Sequence, residues 1–231
     1  LLWAAETTRR AYKKLLSMTD ALIKSQFVGE AEKCFDSGDC IPLNDLITQD
    51  RPITYGILKP GTGCEDGVPV VKVKDFPNGY IDQSALLLTS PEIDANYKRS
   101  RLLPGDLLIS IRGTVGRLAE VPDSLEGANI TQDTARLSIK PDVVKVFVRG
   151  ILETPLLQHK IQELIRGVAV KGINIGDLRQ IPIPMPTQKA QKRLAAIYEA
   201  ADKSKFALQR TLDELEAAYK SILKERLGSE A

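Results

Sequence analysis

Apolar and small side chains recur at alternating spacings of four and three residues in two stretches, one near each end of the chain. The first stretch runs from Leu1 to about Glu32, and the second runs from Thr187 onward. A stripe with this heptad period is typical of a helix that packs along another helix. The stripe comprises Leu1, Ala5, Thr8, Tyr12, Leu15, Thr19, Leu22 and Gln26 in the first stretch, and Leu194, Tyr198, Ala201, Lys205, Leu208, Leu212, Leu215, Tyr219, Ile222 and Arg226 in the second.

The two stretches predict a helix within residues 1–38 and a second helix within residues 187–231. The second helix would have about forty residues and a length of ~60 Å. A domain of about 150 residues has a radius of gyration of ~15 Å, so a helix of this length extends past the domain. We therefore predict that the two helices form an antiparallel coiled coil. The alternative is that each helix packs separately on the domain.

The middle of the chain has short β-branched and aliphatic runs that alternate with Gly, Pro and Asn, a pattern that predicts strands and turns. The clearest runs are Val68–Val73, Leu107–Ile111 and Ala135–Ile139. Residues 143–166 return to helical spacing, and Pro155 indicates the start of the second of two short helices. Alternate prolines in Ile181–Pro186 predict an extended segment that leads to the C-terminal helix. The predicted fold class is α+β, with a mostly β domain at residues 39–186 between the two long helices.

Charge is nearly balanced, with 32 Lys and Arg residues against 30 Asp and Glu residues. A nucleic-acid site would therefore have to be a local patch. The three cysteines, Cys34, Cys40 and Cys64, are too few and too irregularly spaced for a disulfide framework. This cysteine usage predicts a reduced, cytoplasmic setting. We also expect a soluble protein, because no stretch approaches ~20 apolar residues.

Catalytic motifs are missing from the sequence. It contains no GxSxG, HExxH, Walker or GxGxxG pattern, so we expect no enzymatic activity, no cofactor and no metal. The only histidine, His159, is interpreted as a solvated helix residue. Asp106, Asp133 and Asp177 do not have the spacing of a nuclease site, and Asp106 follows Gly105 as a turn residue would.

Small polar and basic residues cluster in the predicted loops and strand edges of the middle domain. Ser and Thr hydroxyls and Lys and Arg side chains are the usual donors to phosphate, and Arg can also bind guanine with two hydrogen bonds. In Gly105–Arg117 the apolar positions should be buried, which would turn Ser110, Arg112, Thr114 and Arg117 toward the surface or a turn. A β-hairpin with solvated charges would show the same residues. The further candidates for DNA contacts are Thr54, Tyr55, Lys72, Lys74, Arg99, Arg101, Thr131, Gln132, Arg136 and Lys171.

The order of several segments resembles the target-recognition domain of the specificity subunits of type I restriction-modification enzymes. The N-terminal helix also resembles this family, because Leu22–Val28 is similar to the end of a helical region that precedes a recognition domain. The segments that carry the resemblance are Tyr55–Gly61, Val68–Asp75, Leu103–Ser110, Gly113–Arg117, Asn129–Gln132, Gly167–Gly172 and Ile181–Pro186.

The resemblance implies a non-catalytic module that binds one half of a bipartite site in double-stranded DNA. In such a module the long helices set the distance to a second recognition domain and dock methyltransferase subunits, and through them the restriction subunit. One recognition domain implies either a natural half-subunit, expected to form a homodimer, or a fragment that pairs with a second recognition half. The main alternative is a protein-interaction adaptor whose helices oligomerise.

Overall fold

The computed structural model describes residues 2–167 and 171–228, and it places a mixed helix and strand domain between two long helices. Leu1 of the predicted stripe, residues 168–170 of the resembling segment and residues 229–231 of the predicted C-terminal helix lie outside the described residues. The helices are α1 (Leu2–Ser37), α2 (Pro91–Ala95), α3 (Lys145–Leu152), α4 (Pro155–Glu163), α5 (Ile175–Arg179) and α6 (Gln188–Gly228). The strands are β1 (Cys40–Pro42), β2 (Thr54–Tyr55), β3 (Val68–Val71), β4 (Leu87–Thr89), β5 (Leu107–Ser110), β6 (Leu118–Glu120), β7 (Asn129–Ile130), β8 (Thr134–Leu137) and β9 (Pro182–Pro184). Short 3₁₀ helices cover Leu43–Leu46, Val73–Asp75, Lys98–Ser100 and Asp123–Leu125.

The two long helices pack side by side and run antiparallel, as predicted. Arg9 and Lys13 lie 3.6 and 2.9 Å from Glu216. Farther along, Lys205 lies 2.7 Å from Asp20, and Arg193 lies 3.0 Å from Glu30. Because the residue numbers rise on α1 as they fall on α6, the contacts fix the antiparallel direction.

The predicted stripe of α6 is confirmed where side chains are described. Leu194, Tyr198 and Leu212 are buried, and the other described members from Ala201 to Tyr219 are half-buried. The stripe therefore faces α1 and the domain along most of the helix.

The predicted stripe of α1 is only partly covered: Tyr12 and Thr19 are half-buried, but near Leu15 and Leu22 the covered face is shifted by about one residue. Leu15 and Leu22 are 49% and 66% exposed, whereas Ile23 and Phe27 are buried. The Phe27 ring lies 5.9 Å from that of Phe147 on α3 and 6.1 Å from that of Tyr198 on α6. Apolar residues form two neighbouring stripes on α1, and only the packing of Phe27 into the domain decides which stripe is covered.

The described residues of the domain form three small sheets. A four-stranded antiparallel sheet has the order β2-β8-β5-β6. In a three-stranded sheet of order β4-β3-β7, β3 pairs antiparallel with β4 and parallel with β7. β1 and β9 pair where the chain enters and leaves the domain, with Ile41 opposite Ile183. The extended conformation predicted for the proline-rich segment is confirmed by β9.

The central strand β5 is buried on both faces. Leu107 and Ile109 join a large core with α1, α3, α4 and α6, while Leu108 joins a smaller core with Val71 and Ile130. Successive side chains of a strand point to opposite faces, so one strand holds the two cores together.

Helices α3 and α4 confirm the two short helices predicted for this region. Thr154 caps α4 by accepting from the Leu157 backbone N–H, and Pro155 takes the first helical position. Across residues 2–167 and 171–228, no helix has the length and apolar character needed to span a membrane.

Candidate nucleic-acid interface

A pocket of about 500 Å³ opens beside β2, and positively charged residues from distant parts of the chain line it. Six of its lining residues are cationic and one, Asp50, is acidic. Thr54 and Tyr55 contribute hydroxyl groups to the same wall. We call this the basic pocket, and its cationic residues are Arg51, Lys98, Arg99, Arg101, Arg136 and Arg179.

Arg136 is buried at the basic pocket, with 2% of its surface exposed. Its Nη1 donates to the carbonyl oxygens of Arg99 and Arg101 at 2.8 and 3.1 Å, and its Nη2 donates to that of Pro52 at 3.2 Å. All three acceptors are neutral. Burial, and then the nearby charge of Arg51, lower the pKa of Arg136 to about 10.

Two buried carboxylates compensate other cations of the basic pocket. Asp106 accepts from both terminal nitrogens of Arg51, at 3.2 and 2.8 Å, and also from Ser138 Oγ at 2.6 Å. Asp94 forms an ion pair with Arg101. Asp106 is thus a structural partner of Arg51, in agreement with its interpretation as a turn residue. Lys98 and Arg99 remain exposed at the rim.

The buried guanidinium groups of the pocket are not fully satisfied by protein. The Nε atoms of Arg136 and Arg179 are buried without a hydrogen-bond partner among the described residues. Cations grouped in this way repel one another, and an anion at the pocket would stabilise them. The chemistry of the pocket therefore suits a phosphate group.

A second polar cluster lies where β2, β5 and β7 end. Arg112 Nη1 donates to Gln132 Oε1 at 2.8 Å. The backbone N–H of Gln132 donates to the Ile57 carbonyl at 3.0 Å, and that of Arg112 donates to Asp133 at 3.2 Å. Lys171 is exposed next to Gly172, which pairs with Arg112 in an isolated bridge.

The turn after β2 connects this cluster with the basic pocket. Tyr55, 46% exposed, lines the pocket, and the next residue, Gly56, donates its N–H to the Thr131 carbonyl at 3.2 Å. A Cβ at Gly56 would lie 1.9 Å from the Ile130 carbonyl oxygen, so only glycine permits this approach. Lys72 directly follows β3, whose last residue, Val71, accepts from the Thr131 N–H, so its backbone lies beside this cluster.

The predicted contacts in the Gly105–Arg117 segment do not lie together. Of the two positions predicted for Ser110, the surface or a turn, it takes the turn, and its side chain is buried. Its hydroxyl donates to the Thr114 carbonyl at 2.5 Å and accepts from the Arg117 N–H at 2.8 Å, so it closes the turn. Thr114 is exposed at the tip, while Arg117 lines a separate cleft between the domain and the long helices.

Lys74 is also set apart from the pocket, with 72% of its side chain exposed beside Asp75. His159 is 75% exposed on α4, as predicted for a solvated helix residue. The structure thus brings Thr54, Tyr55, Arg99, Arg101 and Arg136 to the basic pocket, and Lys72, Arg112, Thr131, Gln132 and Lys171 to the neighbouring cluster.

Sequence reasoning missed Arg51 and Arg179 as members of the site. Arg51 precedes β2, and Arg179, at the end of α5, donates to the Ile53 carbonyl at 3.1 Å. The two residues are far apart in sequence, and neither stands in a basic run. Their proximity results from the long-range contact between the end of α5 and the segment just before β2, which no local sequence pattern predicts.

Comparison with known proteins identifies the family of this chain. A family model for the type I restriction modification DNA specificity domain matches residues 59–217. The chain belongs to this family. The specificity domain is 31% identical over 186 residues to the specificity subunit of the type I restriction enzyme EcoBI from Escherichia coli, a match that covers 78% of this chain and 39% of that subunit.

Solved structures share the fold of this specificity domain. A chain from a type I restriction-modification system superposes with a TM-score of 0.62 at 21% identity, over 96% of this chain and 54% of that one. The HsdS subunit of Thermoanaerobacter tengcongensis gives a TM-score of 0.56 at 19% identity, over 97% and 54% of the two chains. The specificity domain therefore spans about half the length of these solved relatives. The family prediction and the predicted α+β fold are both confirmed.

Proposed function

We propose that this specificity domain binds one half of a bipartite site in double-stranded DNA, without catalysing a reaction, as part of a cytoplasmic type I restriction-modification complex. The observation that carries the proposal is the basic pocket, where six cationic residues meet on a chain whose net charge is only +2. Such a local concentration of positive charge is the electrostatic footprint of a nucleic-acid site.

The two clusters suit two different tasks in DNA recognition. Phosphate contacts fix the position of a protein on DNA, whereas base contacts specify the sequence. The exposed Lys98 and Arg99 at the rim of the basic pocket suit the backbone. The neighbouring cluster around Arg112 and Gln132 suits the bases, because it presents several hydrogen-bond donors from loops. Thr54, Tyr55, Lys72 and Lys171 would add contacts along the same side.

The long helices supply the second part of the proposal. α6 has 41 residues, which corresponds to a rod of ~60 Å. Leu15, Met18 and Leu22 form an exposed apolar row on α1, at spacings of three and four residues. We propose that this row contacts a methyltransferase subunit, and through it the restriction subunit, while the rod sets the distance to a second recognition half or a second copy of the chain.

A salt titration tests the DNA-binding part of the proposal. The chain, in complex with the methyltransferase subunit, is mixed with random duplexes, and bound sequences are selected. We expect a short half-site motif and an affinity that falls steeply as salt rises, because phosphate contacts release counterions. An affinity independent of salt, with no enriched motif, would favour the protein-interaction adaptor, which the exposed apolar row of α1 would also serve.

A further inference from the structure

The hydrogen bond between Arg112 and Gln132 fixes what these side chains can present to DNA. Arginine has only donors, so the atom of Gln132 that faces it must be the carbonyl oxygen. Nη1 of Arg112 and Oε1 of Gln132 are 2.8 Å apart. The acceptor of Gln132 is thereby directed to Arg112. Besides the second lone pair of that oxygen, the pair offers a ligand the two amide N–H groups of Gln132 and the remaining N–H groups of Arg112.

The hydrogen-bond donors of this pair favour a base that presents acceptors. In the major groove guanine presents two acceptors, N7 and O6, whereas adenine presents one acceptor and one donor, and cytosine presents a donor. Glutamine binds adenine with its oxygen and its nitrogen together. For Gln132 this would mean sharing Oε1 between adenine and Arg112, with only the second lone pair of that oxygen open to the base. We propose, on the basis of the proposed function, that the Arg112–Gln132 pair recognises a guanine in the major groove.

The pair is held in place by the backbone on several sides. Gln132 and Arg112 are each anchored by a backbone N–H, to Ile57 and Asp133 respectively. Gly172 lies against the stem of Arg112, since a Cβ at Gly172 would lie 2.8 Å from Arg112 Cγ. Both side chains are half-buried. A donor set that is ordered before binding loses little side-chain entropy when it meets a base.

The distance between the Arg112–Gln132 pair and the basic pocket fits within the width of the major groove. Tyr55 lines the pocket, and Ile57, two residues further along the chain, binds the Gln132 N–H. Two residues of extended chain span ~7 Å. The major groove is ~12 Å wide, so a phosphate at the basic pocket and a base at the pair can be contacted by one domain at once.

Selection of bound duplexes by the chain in complex with the methyltransferase subunit tests this inference. The wild-type protein should select guanine at one position of its half-site. Arg112→Ala should accept all four bases there and keep the rest of the motif, with a loss of discrimination of about 5- to 150-fold. Gln132→Glu should have the same effect with the fold intact, because a carboxylate would bind the guanidinium and remove the amide donors.

A base analogue provides a test on the unaltered protein. Replacement of that guanine by 7-deazaguanine, which lacks the N7 acceptor, should weaken wild-type binding and have no further effect on Arg112→Ala. Arg10→Ala is the matched control, because Arg10 is 78% exposed on α1 and its partner, Glu6, lies on the same helix. The control should select the wild-type motif.

The outcomes separate the inference from the proposed function. If the wild type selects no motif, the proposed function fails, and the inference fails with it. If the wild type selects a motif in which guanine is absent, or in which guanine survives both Arg112→Ala and the 7-deazaguanine substitution, the inference is overturned while the proposed function stands.

Discussion

Arg136 is a single residue on which the shape of the basic pocket depends. Its guanidinium joins the carbonyl groups of Pro52, Arg99 and Arg101, which belong to two different walls. The sequence indicated a DNA contact at this position. The structure places the residue under the pocket, where it holds the walls that carry the exposed Lys98 and Arg99.

We expect Arg136→Met to lower the free energy of unfolding by about 2–4 kcal/mol, because buried carbonyl groups would lose their donors. Urea denaturation measures the change. Arg99→Ala is the control: its side chain is exposed, so stability should change by less than about 0.5 kcal/mol while DNA affinity falls. Equal stability of the two variants would contradict the structural role of Arg136.

At the scale of elements, α1 shows how tertiary contacts choose between two possible helix faces. Ile23 and Leu22 are neighbours in sequence, yet Ile23 is 5% exposed and Leu22 is 66% exposed. The heptad count included Leu22 because apolar residues occupy both stripes. Only the position of Phe27 against α3 and α6 sets the rotation of the helix.

Substitution of the two neighbours tests this rotation. Ile23→Ala should lower the free energy of unfolding by about 2–5 kcal/mol, since it leaves a cavity in the core. Leu22→Ala should change it by less than about 0.5 kcal/mol in the isolated chain. Urea unfolding of both variants distinguishes the two stripes, and the reverse ranking would restore the face that the sequence indicated.

The junction of α3 with α6 contains a buried polar network. Arg149 is 6% exposed, and its guanidinium lies 5.5 Å from the ring centroid of Tyr198, whose hydroxyl donates to Glu153 at 2.8 Å. Burial, and then the carboxylate of Glu153, raise the pKa of Tyr198 well above its usual value. This network connects α3 of the domain to α6 through buried polar and charged side chains.

The raised pKa of Tyr198 predicts a loss of stability in alkali. The folded protein keeps the phenol proton at a pH where the unfolded chain, with a pKa of about 10, loses it, so the free energy of unfolding must fall as pH rises through this range. We expect Tyr198→Phe to show a shallower fall between about pH 9 and about pH 11. Urea denaturation across this range checks it, and identical slopes for both proteins would contradict the assignment.

At the scale of the whole molecule, an apolar row on the described part of α1 is exposed to solvent. Leu15, Met18 and Leu22 are 49%, 58% and 66% exposed on α1. An exposed apolar row on a long helix is typical of a surface that binds another protein. This supports the proposed docking of a methyltransferase subunit on the rod, away from the DNA-binding loops.

We expect the double substitution Leu15→Glu and Leu22→Glu to weaken binding of the methyltransferase subunit more than tenfold, because two charges would be buried at the contact. The thermal stability of the isolated chain should be unchanged. Light scattering of the mixture measures the association, and Lys14→Glu, at an exposed position of the same helix, is the control. Undiminished association of the double variant would place the contact on another face.

The sequence alone determined the elements whose signals are local. Heptad spacing gave the covered stripe of α6, alternate prolines gave the extended segment at β9, and Pro155 gave the start of α4. The order of short segments gave the family. These features depend on backbone preferences and on periodicity within one segment, so no distant contact is needed to predict them.

Only the tertiary structure decided which polar residues form the site. Arg51 and Arg179 reach the basic pocket from opposite parts of the chain, Arg136 lies beneath it, Ser110 closes a turn, and Arg117 faces another cleft. Nothing in the local sequence around these residues distinguishes their roles. A side chain's role depends on the direction in which its strand or loop is packed, and that direction results from long-range contacts that no local pattern encodes.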